Sequence, residues 1–382
     1  MSSDDESGAS PPPPWDLVDA FCGGGLYSFG ARAAGMRVVA AVDSSADALS
    51  VYKSNLSVHV TCAEVGPERT DFAFPPPRER LHVHLSPPCQ ELSNAKRGPR
   101  SDSGLEMLQW SVEMGTKYNS FSAETVHTSA TLAFAKAQTA ANPTRVAYGV
   151  YNSINFGAAQ TRVRLILATP TIIRRLNEAP ASARVSVEDA FHAAGVAIPA
   201  GATHVRNSSP SKDGSNIRPI QGPAFTCCAS RALSFCNAAG QTVLSMRPEH
   251  TRVLMGLPNA FRLSGKQCVD QPVLGNGVVF GLARAIALAA MGREITPLTP
   301  APAAPPPMAM VAARKRGRAE AAEVGGDGSS GGLCCGECRT LKEKLQRAEH
   351  RISLLTQLLA CEVASDHVSD TVGLSAHDMY MW

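Results

Sequence analysis

The chain has 382 residues, of which 44% are hydrophobic and 18% carry a charge, and its formal net charge is +3. This length allows two domains with buried cores, and the hydrophobic fraction is close to the ~45–50% of globular proteins. A net charge this small does not by itself indicate a nucleic-acid partner, because such recognition depends on where the basic side chains cluster.

The sequence pattern argues against an exported protein and against a membrane-spanning one. Residues 1–14 are acidic and proline-rich, which is typical of a disordered tail and not of an export signal. The longest apolar run, Val278–Met291, contains Arg284 and is shorter than the ~20 residues that a membrane span needs. We therefore expect an intracellular protein with no membrane partner, whose 11 cysteines are reduced thiols.

The first globular segment has the pattern of a βαβ unit. An apolar run from Trp15 to Phe21 ends at a glycine turn, a helix is predicted over Ser28–Ala34, and a second strand over Val38–Val42 ends at Asp43. This pattern predicts a parallel sheet with helices on both faces, so the fold class is α/β. Further strands are predicted at 81–85, 145–150 and 163–169, and a helix at 276–291.

Composition divides the chain into segments. We expect a first domain over 15–170, completed by 248–293, and a smaller domain over 171–247 in which basic residues outnumber acidic ones. Residues 294–333 have the composition of a linker. A short coiled coil is predicted for 334–362, followed by a tail over 363–382.

The carboxyl-terminal segments contain three further patterns. A heptad seam from Leu341 to Leu359 predicts self-association through 341–359. Cys334, Cys335 and Cys338 supply half of a zinc site, but no further ligand follows at a standard spacing, so no metal is predicted. The cluster Arg314–Arg318 is typical either of a nuclear-import signal or of a solvated linker.

Two patterns in the first domain indicate chemistry. Gly23 is followed by Asp43 at the end of the next predicted strand, an arrangement that binds nucleoside-containing cofactors through ribose hydroxyls, although a plain glycine turn beside an unrelated aspartate stays open. Pro87 and Pro88 then present Cys89 on a rigid loop at the carboxyl edge of the sheet. Ligands bind at that edge, so Cys89 is a candidate nucleophile.

From about Asp16 to Met291 the chain resembles the DNA cytosine-5 methyltransferases, because the motifs of that family occur in order. The matching segments are Phe21-Cys22-Gly23-Gly24-Gly25, Asp43, Glu64-Val65, Pro87-Pro88-Cys89-Gln90, Glu124-Thr125-Val126, Gln160-Thr161-Arg162-Val163-Arg164, Leu254-Met255-Gly256-Leu257-Pro258 and Gly275-Asn276-Gly277-Val278. The resemblance implies a doubly wound, mostly parallel class I methyltransferase sheet of the Rossmann-like kind, with a target-recognition domain at 171–247. It also implies S-adenosyl-L-methionine as cofactor and double-stranded DNA as partner.

The resemblance further implies roles for single residues. Cys89 would add to carbon 6 of a cytosine flipped out of the duplex, and Glu124 would donate a proton or hydrogen bond at ring nitrogen 3. Arg164 would contact the cytosine carbonyl oxygen, and Arg162 would help hold the site together. The cofactor would be bound by Phe21, Gly23, Gly25, Asp43, Glu64, Pro88 and Asn276, and the substrate would be positioned by Gln90, Ser93 and Gln160.

Three residues depart from the family pattern. Leu26 stands in place of a glycine, Thr125 in place of an asparagine, and Val279 in place of a proline. Two alternatives therefore stay open beside a DNA methyltransferase: an RNA cytosine-5 methyltransferase, and a catalytically weak or inactive DNA-binding scaffold of the same fold. A nicotinamide oxidoreductase is disfavoured, because Ser28 occupies the third glycine position of a dinucleotide fingerprint.

Overall fold

The computed structural model describes residues 13–89, 92, 103–208 and 216–298. Gln90, Ser93, the cluster Arg314–Arg318, the cysteines at 334–338 and the heptads at 341–359 lie outside these ranges, as do most of the predicted tail at 1–14 and most of the predicted linker. The expectations for those segments remain predictions.

Two sheets organise the described part of the chain. Its strands are β1 (Asp16–Ala20), β2 (Arg37–Asp43), β3 (Val60–Cys62), β4 (Leu81–Leu85), β5 (Ser120–Val126), β6 (Ala147–Asn152), β7 (Val163–Ala168), β8 (His204–Arg206), β9 (Ile217–Pro219), β10 (Ser234–Cys236) and β11 (Thr242–Ser245). Its α-helices are α1 (Leu26–Ala33), α2 (Ala46–Asn55), α3 (Ser103–Gly115), α4 (Ser129–Ala141), α5 (Pro170–Glu178), α6 (Val187–Ala193), α7 (Pro248–Leu254), α8 (Gln267–Asn276) and α9 (Phe280–Ala290).

The larger sheet has seven strands in the order β3-β2-β1-β4-β5-β7-β6. Neighbours from β3 to β5 are parallel, whereas β7 runs antiparallel to both β5 and β6. The chain leaves β1 toward β2 on one side and returns to β4 on the other, so the point between β1 and β4 is a topological switch point. Open α/β sheets bind ligands at the carboxyl ends of the strands at such a point.

Helices cover both faces of this sheet. On one face α1, α5 and α9 form a core that contains Tyr27, Ile172 and Leu282. On the other face Trp110 and Met114 of α3 pack against the apolar side of the central strands. The predicted α/β class with a doubly wound, mostly parallel sheet is confirmed.

The smaller sheet is antiparallel, with strands in the order β11-β10-β8-β9. Its core includes Phe191 of α6 and Phe235 of β10, whose rings meet edge to face at 5.4 Å. Helix α5, in contrast, buries Ile172 and Ile173 against α9. Residues 170–178 therefore lie with the larger sheet, and the smaller sheet occupies 204–245 of the segment predicted as a second domain.

The predicted helix over 276–291 is wrong at the three residues 277–279. Helix α8 ends at Asn276 and α9 begins only at Phe280, because Gly277 and the extended Val279 separate them. Helix α1 likewise starts at Leu26 instead of Ser28, directly after Gly25 in the left-handed conformation. Strand β4 matches its prediction, whereas β5 was not predicted.

Within the described ranges no single helix is long and apolar enough to cross a membrane; α8 and α9 pass such a test only together, as a pair bent by 46°.

Helices α1 and α9 approach each other closely at Gly30. A Cβ atom there would lie 2.7 Å from Ala283 Cβ and 2.9 Å from the Phe280 carbonyl oxygen. We expect Gly30→Ala to lower the free energy of unfolding by about 1–3 kcal/mol, because the two helix backbones must move apart. Urea unfolding measures this change. Gly222→Ala is the control, since its nearest atom would be at 3.7 Å, and equal losses in both variants would contradict the tight contact.

Candidate active site

A cavity of about 320 Å³ lies at the switch point between β1 and β4. Its wall combines the loops that follow β1, β2 and β4 with one residue of β5 and the end of α8. The residues that line it are Asp19, Phe21–Gly24, Leu26, Tyr27, Asp43–Ser45, Asp47, Ala48, Ser86–Cys89, Glu124, Cys268, Val269, Pro272, Val273 and Asn276–Val278. The glycine turn and the predicted nucleophile therefore face one continuous space.

The glycine turn holds Asp43 at one end of this cavity. The Gly23 backbone N–H donates to Asp43 Oδ2 at 2.8 Å, and the Ser45 N–H donates to Oδ1 at 2.8 Å. Gly25 has φ +84, and a Cβ atom there would lie 2.7 Å from the Tyr52 ring, so only glycine fits. Gly25 has no side chain that could cap the start of α1, so the N–H groups of Leu26 and Tyr27 stay available to a ligand, whereas that of Ser28 is directed to Asp19.

Asp19 also lines this wall, although it was not among the residues predicted from the sequence. Asp19, at the end of β1, is 1% exposed and accepts a hydrogen bond from Ser28 at Oδ2, whereas its Oδ1 is buried without a partner. Burial raises the pKa of this carboxyl to about 7. A buried acid just before a glycine turn was the signal available in the sequence, and its unpartnered oxygen can accept a hydrogen bond from a cationic ligand.

Cys89 and Glu124 lie at the other end of the cavity. Pro87 is buried and Cys89 is half-buried, so the loop after β4 presents the thiol at the cavity wall. Burial, followed by the charge of Glu124, raises the pKa of the Cys89 thiol above its ordinary value, although Arg164 and Arg162 act in the opposite direction. The four predicted catalytic residues thus lie close enough to influence one thiol.

Glu124 forms an ion pair across the sheet. Arg164 Nε lies 2.8 Å from Glu124 Oε1, and both side chains are largely buried. The geometry leaves Oε1 without a proper hydrogen bond. The carboxyl group is therefore held in place by charge while it keeps bonding capacity toward the cavity.

Arg162 and Gln160 do not line the cavity. Arg162 is 1% exposed and donates to the carbonyl oxygens of Cys227 (2.9 Å), Gly275 (3.0 Å) and Gly277 (3.0 Å). Gln160 donates to the Leu254 carbonyl oxygen and accepts from the Cys227 N–H, each at 2.9 Å. Arg162 thus joins the segment before β10 to the end of α8, and Gln160 joins the same segment to the end of α7. This agrees with a supporting role for Arg162, whereas Gln160 has no group directed to a substrate.

Of the other residues predicted to bind the cofactor or position the substrate, some line the cavity and some do not. Phe21, Pro88 and the exposed Asn276 line the cavity. Glu64 is exposed after β3 and does not line it, so the structure places no contact between Glu64 and the predicted cofactor site. Gln90 and Ser93 lie outside the described residues.

Comparison with solved structures identifies the fold. A chain named as a DNA modification methyltransferase encoded within an E. coli prophage matches 73% of this chain and 99% of its own length, with 15% identity and a TM-score of 0.50. The Dnmt2 methyltransferase of S. pombe (73% and 99% covered) and a DNMT2 variant of Spodoptera frugiperda (72% and 99%) match at 13% identity with TM-scores of 0.48. No family model and no curated protein matches the sequence.

The chain has a class I methyltransferase fold. Within this methyltransferase fold, the three departures noted in the sequence have different surroundings. Leu26 is 2% exposed and lies against Gly277, whose missing side chain provides the room. Val279 is buried at the start of α9. The Thr125 hydroxyl is buried without a hydrogen-bond partner, so it does not replace the hydrogen bonds of an asparagine amide.

The raised pKa of Asp19 gives a testable pH dependence. The folded state holds this proton up to a pH of about 7, whereas the unfolded state releases it near the ordinary value of 3.8. Ionisation therefore costs the folded state stability as the pH rises between these values. We expect Asp19→Asn, which retains an oxygen for Ser28, to gain thermal stability over the wild type progressively from pH 4 to pH 8. A Tm difference that is independent of pH would contradict the assignment.

Proposed function

We propose that this chain belongs to the DNA cytosine-5 methyltransferase family and methylates carbon 5 of cytosine in DNA, using S-adenosylmethionine. One observation carries the proposal. A single cavity at the switch point contains a glycine turn with Asp43 at one end and Cys89 with Glu124 at the other. This arrangement allows a nucleoside cofactor and a reactive thiol to reach neighbouring atoms of one substrate base.

The residues present fit the proposed cofactor. Asp43 has lone pairs for ribose hydroxyls beyond those that the Gly23 and Ser45 N–H groups occupy. The unpartnered oxygen of Asp19 suits the ammonium group of the methionine part, and the uncapped start of α1 suits its carboxylate. When bound, this cofactor supplies an electrophilic methyl group.

The other end of the cavity suits activation of the cytosine. Carbon 5 becomes nucleophilic only after a thiolate adds to carbon 6, the role proposed for Cys89. Addition places electrons on ring nitrogen 3, and Glu124, held by Arg164, would donate the proton there. Carbon 5 and carbon 6 of a cytosine are not accessible inside a duplex, so the base would have to leave the duplex to enter the cavity, at a cost of a few kcal/mol.

We expect the wild-type protein to form a covalent complex with DNA that contains 5-fluorocytosine when S-adenosylmethionine is present, since fluorine at carbon 5 prevents release. Cys89→Ser should abolish the complex, because a serine hydroxyl is a far weaker nucleophile than a thiolate. Denaturing electrophoresis detects the complex. Cys62→Ser is the control: Cys62 is exposed and does not line the cavity. A complex that survives in Cys89→Ser would remove this thiol from the mechanism.

Methyl transfer to duplex DNA and to transfer RNA tests which nucleic acid is the substrate. We expect label from methyl-labelled S-adenosylmethionine to enter duplex DNA and not transfer RNA. Transfer to RNA alone would establish the RNA cytosine-5 alternative. Binding of DNA with neither methyl transfer nor a covalent complex would instead establish the scaffold alternative.

The raised pKa of Cys89 predicts how adduct formation depends on pH. The folded protein keeps this thiol protonated at neutral pH, because burial and Glu124 disfavour the thiolate. The rate of complex formation on 5-fluorocytosine DNA should therefore increase about tenfold per pH unit from pH 6 to pH 8, as the thiolate fraction increases. Rapid-quench measurement at saturating DNA checks this, and a plateau below pH 7 would show an activated thiol of low pKa.

A further inference from the structure

A chain of three buried polar side chains leads from α2 to the cavity. The Tyr52 hydroxyl donates to Ser28 Oγ at 3.0 Å, and the Ser28 hydroxyl donates to Asp19 Oδ2 at 2.5 Å. Tyr52 and Ser28 are each 0% exposed, and Asp19 is 1% exposed. The three residues belong to α2, α1 and β1, so the chain connects three elements around the glycine turn.

The ionised form of Asp19 fixes the direction of these hydrogen bonds. Because a carboxylate only accepts, the Ser28 hydroxyl proton points to Asp19, and the lone pairs of Ser28 Oγ are left for the proton of Tyr52. Each bond polarises the next, which strengthens the bond to the carboxylate. The Ser28 backbone N–H is directed to the same carboxyl group. Ser28 therefore holds this group from one side and fixes its rotation.

Of these three residues, only Asp19 lines the cavity. Its Oδ2 is bound to Ser28, whereas its Oδ1 is buried and has no hydrogen-bond partner in the described part of the chain. Buried polar atoms nearly always have a partner, so an unpaired carboxylate oxygen in a cavity wall requires an explanation. A ligand that brings a hydrogen-bond donor into the cavity would supply that partner.

The surroundings of Asp19 indicate that this donor is a cation. Burial raises the pKa of Asp19 to about 7, and the negative charge of Asp43 acts in the same direction, so the empty cavity disfavours the carboxylate. A cationic donor stabilises the carboxylate against both effects. No lysine, arginine or histidine is among the described residues that line the cavity, so the cation would have to belong to the ligand.

We propose that Ser28 and Tyr52 are positioning residues that hold Asp19 with its free oxygen toward the ammonium group of the cofactor's methionine part; this rests on the proposed function. Ser28 acts directly on the carboxyl group, and Tyr52 acts one hydrogen bond further away. Neither residue lines the cavity, so neither touches the cofactor. The ribose is assigned to Asp43, so the chain of Tyr52, Ser28 and Asp19 affects only ligands that carry the ammonium group.

Two ligands separate positioning of Asp19 from a general loss of structure. S-Adenosylhomocysteine carries the ammonium group, whereas 5′-methylthioadenosine has the same adenosine and thioether but lacks the amino-acid part. We expect Asp19→Asn to weaken binding of S-adenosylhomocysteine about tenfold, Ser28→Ala about fivefold and Tyr52→Phe about threefold, because a hydrogen bond to a charged group contributes more than the bonds behind it. Binding of 5′-methylthioadenosine should stay at the wild-type value in all three variants. Isothermal titration calorimetry measures both ligands.

Each variant has a matched control outside the cavity wall. Ser111 is a buried helical serine that donates to the Met107 carbonyl oxygen, and Tyr118 is a buried tyrosine that donates to the Pro75 carbonyl oxygen. Ser111→Ala and Tyr118→Phe should therefore bind both ligands like the wild type.

Unchanged binding of S-adenosylhomocysteine in Ser28→Ala or in Tyr52→Phe would overturn the proposal, as would equal losses for both ligands. If the wild type bound neither of these ligands nor S-adenosylmethionine, the proposed function itself would be overturned.

Discussion

The arrangement of the cavity depends on one buried guanidinium group. Among the described residues the Arg162 guanidinium group donates to the backbone carbonyl oxygens of Cys227, before β10, and of Gly275 and Gly277, at the end of α8. A buried charge is costly unless its hydrogen bonds are made, so three well-placed carbonyl oxygens are needed to keep it folded in this position. Burial lowers its pKa only to about 10, so it remains charged at neutral pH. The smaller sheet, the α8–α9 break and β7 are thereby fixed to one another.

The two arginines of the Gln160–Arg164 motif, Arg162 and Arg164, have different surroundings. Arg162 precedes β7 and is buried among backbone carbonyl oxygens, while Arg164 lies within β7 and reaches Glu124 on β5 from the register position diagonal to it. The same short motif thus supplies one arginine that holds three backbone carbonyl oxygens and one that pairs with a carboxylate of the cavity wall.

The sequence allowed the sheet edge to be predicted better than the groups beneath it. The glycine turn, Asp43 and Cys89 line the cavity at the predicted sheet edge, because glycine and proline constrain the backbone locally. Glu64 does not line it, since only the path of the chain after β3 decides whether that side chain faces the cavity. Asp19 was missed although it lies just before the glycine turn, because its burial depends on the packing of α1, whose Ser28 donates to it. The break before α9 was missed because Leu26 and Arg162, which contact Gly277, are far from it in the chain.

The packing of α9 on α1 has a consequence for synthesis of the chain. Leu17, Tyr27 and Ala31 belong to the same core as Leu282 and Ile286, so the earliest helix is covered by the latest one described. Until about 290 residues have emerged from the ribosome, the apolar side of α1 has no cover, and such surfaces bind chaperones or aggregate. A nascent chain of this fold therefore depends on protection over nearly its whole folded length, and any ribosomal stall before α9 yields a product without a closed core.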